Sequence, residues 1–119
     1  MTVRFLLDEN ITPLVRDIAV RAYPQLDIAC IGDADCPPKG TADEDILRFV
    51  SRSSQVLITR NRKSMPRHVS NVEGQGITHW GVFQVREGTT LHQLVEQLHL
   101  LAEASEPTEW VGKQMWIPM

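Results

Sequence analysis

Val3-Arg4-Phe5-Leu6-Leu7-Asp8-Glu9-Asn10-Ile11-Thr12-Pro13 is the stretch on which the fold turns. Its apolar run, Val3 to Leu7, has the length and composition of a buried strand. Thr12-Pro13 reads as a helix start, with Thr12 as N-cap and Pro13 in the first turn. An acidic doublet, Asp8-Glu9, therefore stands at the C-terminal end of a first strand. Open α/β sheets place their ligands there. Crowded carboxylates at such a place call for a cation or a basic partner.

Outward from this stretch, strands and helices alternate. Pro13 to Tyr23 carries Leu14, Val15, Ile18, Ala19 and Ala22 at helical spacing, and Pro24 stops it. Leu26 to Ile31 predicts a second strand. Asp33, Asp35, Pro37, Pro38 and Gly40 make the next segment a loop. Thr41-Ala42-Asp43-Glu44 has capping-box spacing before the apolar side Ile46, Leu47, Phe49 and Val50. Gln55 to Thr59 predicts a third strand. Residues 60–78 are irregular apart from a short helix opened by Ser64 and Pro66 and running to about Val69. Ile77 to Val85 predicts a fourth strand. Thr90 and Gln93 repeat the capping-box spacing ahead of Leu91, Leu94, Val95, Leu98, Leu101 and Ala102, the clearest helical stripe in the chain. Gln114 to Ile117 fits an edge strand before Pro118. This order predicts an α/β protein: one domain over residues 1–119, three α/β/α layers and a central, mostly parallel sheet.

The bulk numbers narrow the functional classes. The chain has 119 residues, 42% hydrophobic and 23% charged, with a formal net charge of −3. Such a molecule has no overall attraction for nucleic acid, so any contact with RNA needs a local basic patch. Cys30 and Cys36 form no CxxC or zinc-type spacing; Cys30 reads as a buried small hydrophobe. No signal-peptide pattern opens the chain and no run spans a bilayer, which gives a cytoplasmic expectation with no membrane partner.

The candidate chemistry gathers at one edge. Asp8 is the first candidate, since successive strand residues face opposite ways and Glu9 points elsewhere. Asp43 shares a helix face with Ile46, Leu47 and Val50, so it turns toward the sheet at the end where Asp8 emerges. Two carboxylates converging there suit a hard cation such as Mg²⁺. Thr59-Arg60-Asn61 follows the third strand to the same edge, where Asn61 offers a neutral oxygen. Arg60, Arg62, Lys63 and Arg67, with His68 beside them, concentrate four of the twelve Lys and Arg residues in eight positions. A basic rim of this kind holds phosphate. A second account stays open: the acids complement helix dipoles, and the arginines pair with Asp8 or Asp43. His79, His92 and His99 lack joint-ligand spacing, Trp110 and Trp116 read as core or interface, and no Walker-type loop, GxGxxG or GxSxG elbow is present.

Leu6-Leu7-Asp8-Glu9-Asn10, Gly40 to Leu47 (GTADEDIL) and Val56 to Asn61 (VLITRN) together resemble the small PIN-like domains of unknown function related to VapC-type toxin nucleases. The likeness covers roughly the first two-thirds of the chain. Asn61 to His68 is similar to a subgroup with an NRxSMPxH-like run, which includes Ser64. The resemblance implies a PIN-like fold and acids around Mg²⁺ or Mn²⁺ that activate water to cleave RNA. Asp8 matches the first acid of the family, and Asp43 with Glu44 the second acidic block. The usual third acid is replaced by Asn61, and the next acidic position falls among Lys63 and Ser64. The catalytic expectation is thus Asp8, Asp43 and Asn61, with metal at Asp8, Asp43 and Glu44 and with Glu9, Asn10, Thr59, Ser64 and His68 as neighbours. Implied partners are RNA, an antitoxin-like protein and a second copy in a homodimer. Alternatives are a non-catalytic PIN-like module binding RNA or protein, and a receiver-like domain, which lacks an acceptor aspartate after its third strand.

Overall fold

The computed structural model describes residues 2–119. Five strands, β1 (Arg4–Leu7), β2 (Asp27–Cys30), β3 (Val56–Thr59), β4 (Val82–Val85) and β5 (Gln114–Ile117), form one sheet in the order β2-β1-β3-β4-β5. Every neighbouring pair is parallel. The helices are α1 (Leu14–Ala22), α2 (Asp43–Ser53), α3 (Met65–Gly74) and α4 (Leu91–Ala104), with a 3₁₀ turn at Pro107–Trp110. α1 packs beside α4 and α2 beside α3, one pair on each face. The expected α/β architecture, with three layers and a parallel sheet, is what the chain adopts.

Strand alternation builds two cores. Phe5 and Leu7, Ile58, and Phe83 and Val85 face α1 and α4, where they join Val15, Ala19, Leu94 and Leu98. Leu6, Leu57 and Val82 face α2 and α3, against Ile46, Leu47, Val50, Met65, Val69 and Val72. Strands buried on both sides need apolar residues at nearly every position, which is why β1 and β3 read as continuous runs.

The chain leaves β1 toward β2 and returns across β1 to β3. The strand order therefore reverses between β1 and β3. Open α/β sheets place their ligands at such a reversal, beyond the carboxyl ends of the two strands; Asp8 and Thr59 stand at those ends, both buried.

Several local expectations are corrected. Residues 60–78 are more regular than their composition suggests: α3 runs to Gly74, because Val69 and Val72 extend its buried face past the expected end. β4 begins at Val82 rather than Ile77. Gly81 stands at φ +122° against Trp110, where a Cβ would lie 3.1 Å from the Trp110 Cβ, and Trp80 is drawn off to donate its indole N–H to the Ser51 carbonyl. Thr41 and Glu44 form no capping box. The Thr41 hydroxyl donates to the Pro38 carbonyl, and Ala42 occupies the N-cap. Pro13 rather than Thr12 occupies the N-cap of α1, although the Thr12 hydroxyl accepts from the Leu14 N–H. The capping box of Thr90 and Gln93 is present with both of its hydrogen bonds. Cys30 is buried and both cysteines are free thiols. Among the described residues, no helix is long and apolar enough to cross a membrane.

Candidate functional site

β1 ends one residue before Asp8, whose backbone N–H still donates to the Ile58 carbonyl. Its side chain is only 4% exposed. Oδ1 accepts from the Glu9 N–H at 2.8 Å and Oδ2 from the Thr59 hydroxyl at 2.8 Å. Burial pushes the Asp8 carboxyl above its ordinary pKa, the bonds from Thr59 and Glu9 oppose that, and the charges of Asp43 and Glu9 add to it.

Thr59, the last residue of β3, is the hub. Its Oγ1 accepts from the Asn61 N–H at 3.0 Å and from the Asn10 carboxamide at 3.3 Å. Asn10 in turn accepts from the Arg60 N–H at 3.0 Å. The turns after β1 and β3 are thereby tied together. Asn61 carries the network to the second acid: its Nδ2 donates to Asp43 Oδ2 at 3.0 Å. Its Oδ1 accepts from the Ser64 N–H at 3.2 Å and the Ser64 hydroxyl at 3.0 Å, which fixes the carboxamide's orientation. Asp8 and Asp43, thirty-five positions apart in sequence, thus join through Thr59 and Asn61 in one hydrogen-bonded chain.

α3 closes the other side. His68 lies between the first two acids of α2, with Nδ1 3.0 Å from Glu44 Oε2 and Nε2 3.6 Å from Asp43 Oδ2. Asn71 also donates to Glu44 Oε2 at 3.0 Å. These two hydrogen bonds, Asn71 first, hold the Glu44 carboxyl below its ordinary pKa. Glu9 turns away and accepts from the Gly40 N–H at 2.9 Å, pinning the loop ahead of α2.

The arginines that follow β3 do not neutralise this cluster; from within α2, Arg48 stands 3.7 Å from Glu44 Oε1. Arg62 pairs with Glu87, on the turn after β4, at 2.5 Å. Arg60, Lys63 and Arg67 are exposed and, among the described residues, form no ion pair. The account in which arginines pair with Asp8 or Asp43 is corrected. Thr, Asn and His side chains and backbone N–H groups stand against the acids, and Arg60, Lys63 and Arg67 stay exposed without an ion pair among the described residues.

One polar residue of the site escaped the sequence reading. Gln84 on β4 is 5% exposed, and its Nε2 donates to the Asn61 carbonyl at 3.0 Å. Its Oε1 has no hydrogen-bond partner. Thr59 pairs with Gln84 across β3 and β4, and Asp8 lies one step beyond the Leu7–Ile58 pair of β1 and β3. Asp8, Thr59 and Gln84 are therefore neighbours in one polar row at the carboxyl ends of three strands, all on the α2–α3 face. A Gln inside an otherwise apolar parallel strand, Val82-Phe83-Gln84-Val85, was the available signal.

Asp8 and Asp43 suit a hard ion. Among the described residues Asp43 Oδ1 accepts no side-chain hydrogen bond, and the repulsion that Asp43 adds at Asp8 is of the kind a divalent charge relieves. Among the described residues, no three His, Cys, Asp or Glu side chains gather into a metal-binding group. Asp8 and Asp43 are the two carboxylates that could hold an ion here, and two carboxylates alone would leave it several waters rather than close a cage. Compared with known protein families, curated proteins and solved structures, the chain matches none.

Proposed function

We propose that the protein is a metal-dependent ribonuclease of PIN-like type, with Asp8 and Asp43 holding Mg²⁺ or Mn²⁺. The observation that carries this reading is the Asp8–Thr59–Asn61–Asp43 chain, built on the same turn that bears the exposed Arg60 and Lys63 and leads to Arg67, none of which forms an ion pair among the described residues. Asp8 and Asp43, which pair with no lysine or arginine among the described residues, and Arg60, Lys63 and Arg67, which pair with no acid among them, form an arrangement complementary to a phosphodiester and a cation together. When bound, the ion supplies positive charge to the phosphate and lowers the pKa of a bound water. The chain's own groups supply position. Thr59 fixes the Asp8 carboxylate by its hydroxyl, and Ser64 fixes Asn61 so that its Nδ2 steadies Asp43. Arg60, Lys63 and Arg67 receive the phosphates on either side of the cleavage point, and His68 keeps Glu44 beside Asp43. A toxin role, with an antitoxin-like protein as partner, rests on the family resemblance alone.

A second reading has one observation in its favour. Asn61 stands where the resembled family has an acid, and its amide nitrogen already donates to Asp43. A module that binds RNA without cutting it would retain this geometry. Calorimetric titration with Mn²⁺, run alongside cleavage of a labelled oligoribonucleotide, separates the two. A ribonuclease shows binding heat and cleavage that Asp8→Asn removes. Wild-type protein that gives no Mn²⁺ heat and leaves bound RNA whole overturns the ribonuclease reading.

A further inference from the structure

The polar row does not stop at Gln84. Gln84 pairs with Trp116 across β4 and β5. Phe83 and Val85, with their partners Met115 and Ile117, pack into the α1–α4 core, so the alternating positions Gln84 and Trp116 share the opposite face. Asp8, Thr59, Gln84 and Trp116 thus form one continuous line across four strands. Among the described residues no other Trp, Tyr or Phe ring is as open: Trp116 is 43% exposed, whereas Trp110 packs edge-on against Phe83. The Arg86 guanidinium stands 6.0 Å over the centre of the Trp116 ring and is anchored by its Nε–H to the Pro118 carbonyl.

We infer that Trp116, with Arg86, forms a nucleobase subsite at the outer end of this row, taking an unstacked base of single-stranded RNA. The inference deepens the ribonuclease reading and rests on it. Three arguments favour this occupant. A ring face beside a fixed cation is the pair that holds a base by stacking and by cation–π attraction. The charge is complementary, since Arg86 is a further exposed cation beside Arg60, Lys63 and Arg67, which form no ion pair among the described residues. The distance also fits: three strand spacings of about 4.8 Å put the ring roughly 14 Å from Asp8 along the row, a reach of about two extended nucleotides. The phosphates contacted near the acids then continue to a base held at β5, and the subsite selects single strands because a paired base has no free face to offer.

The test measures binding in metal-free buffer by fluorescence anisotropy, so that no probe is cut. Two probes of equal length and charge are used, a short oligoadenylate and its abasic counterpart. Wild-type protein is expected to bind the oligoadenylate about tenfold or more tightly than the abasic strand. Trp116→Ala should abolish that difference while leaving abasic binding unchanged, and Trp116→Phe should restore most of it. A strand distorted by the substitution would weaken both probes together, so the unchanged abasic arm isolates stacking. Equal wild-type affinity for the two probes overturns the subsite and leaves the ribonuclease reading standing. Binding of neither probe also overturns the subsite, and the Mn²⁺ titration with the cleavage assay then decides the ribonuclease reading separately. Sedimentation showing a wild-type dimer that Trp116→Ala dissociates also overturns the subsite, because the ring then belongs to an interface between copies.

Discussion

The two faces of the sheet are built from the same strands and end differently. Toward α1 and α4, Leu7, Ile58 and Val85 carry the apolar pattern to the strand ends, and the capped helix α4 seals it. Toward α2 and α3, Leu6, Leu57 and Val82 do the same until the final row, where Asp8, Thr59 and Gln84 replace the hydrophobes. One face is therefore a core throughout, and the other is a core with a polar lip. The difference teaches that folding and chemistry are divided by side-chain parity. A single strand supplies both, at alternate residues, because successive side chains point to opposite layers.

Adjacent residues of β4 give the sharpest way to break this division. Phe83→Ala should destabilise the fold by about 3–5 kcal/mol, the usual cost of emptying a buried aromatic site. Gln84→Leu, one residue along on the polar lip, should cost less, about 1–2 kcal/mol, since it removes an unmet acceptor and keeps the volume but loses the bond to the Asn61 carbonyl. Urea midpoints measure both, and equal losses would refute the division. The rim comes next. Replacing Arg60, Lys63 and Arg67 together with Gln should lower the slope of log K against log salt for single-stranded RNA by about 2, at roughly 0.7 per phosphate contact. Stability should hardly change, because none of the three forms an ion pair among the described residues. An unchanged salt slope would detach the rim from RNA.

Two threonines sharpen the comparison further. Thr90→Ala should cost about 1 kcal/mol because its hydroxyl caps α4. Thr41→Ala should cost less, since its hydroxyl serves a loop carbonyl rather than a helix N–H. Thermal unfolding of the two variants ranks them, and the reverse order would restore the capping box expected at α2. The smallest effects are in the pH dependence of the metal-free protein. Asp8 has a raised folded pKa, so the native state holds its proton more tightly than the unfolded chain. Its contribution is fully present below the ordinary value of 3.8 and is lost as pH rises through the raised value. Asp8→Asn should flatten that limb. Glu44 runs the other way: its folded pKa is depressed, so its contribution is present above 4.5 and is lost on acidification through the lowered value. Glu44→Gln should weaken the protein slightly near neutrality and narrow the gap in acid. Urea midpoints across acidic pH read both limbs, and matching slopes for the two variants would contradict the opposed environments of these acids.

Much of this molecule was legible in its sequence. The uninterrupted apolar runs of β1 and β3 announced strands covered on both sides, and the Thr90–Gln93 spacing announced the start of α4. Asp43 was legible because its helix register ties it to Ile46, Leu47 and Val50. What the sequence hid was whatever depends on a partner distant in the chain. Thr41 and Glu44 have capping-box spacing, but His68 and Asn71 claim the Glu44 carboxylate from α3. The extent of α3 was masked by Ser70, Asn71 and Gly74, polar or helix-poor residues that are tolerated because Val69 and Val72 still reach the core. Gln84 drew no notice because an isolated Gln carries no motif, and only strand register sets it beside Thr59. Trp116 read as core or interface, and its exposure follows from β5 being an outer strand whose α2–α3 side stays open at Gln114 and Trp116.

The division by parity also bears on how this scaffold can change. The polar lip occupies the last α2–α3-facing positions of β3 and β4 and the residue just past β1, so its identity can be rewritten with little change to the packing beneath. Exchanging Asn61 for Asp, or Gln84 for Glu, adds an anionic oxygen donor to the cleft and leaves Leu57, Ile58 and Phe83 untouched. Both an ancestral lineage and a protein engineer would find the same freedom here: reactivity is adjustable one rung at a time on a foundation that need not move.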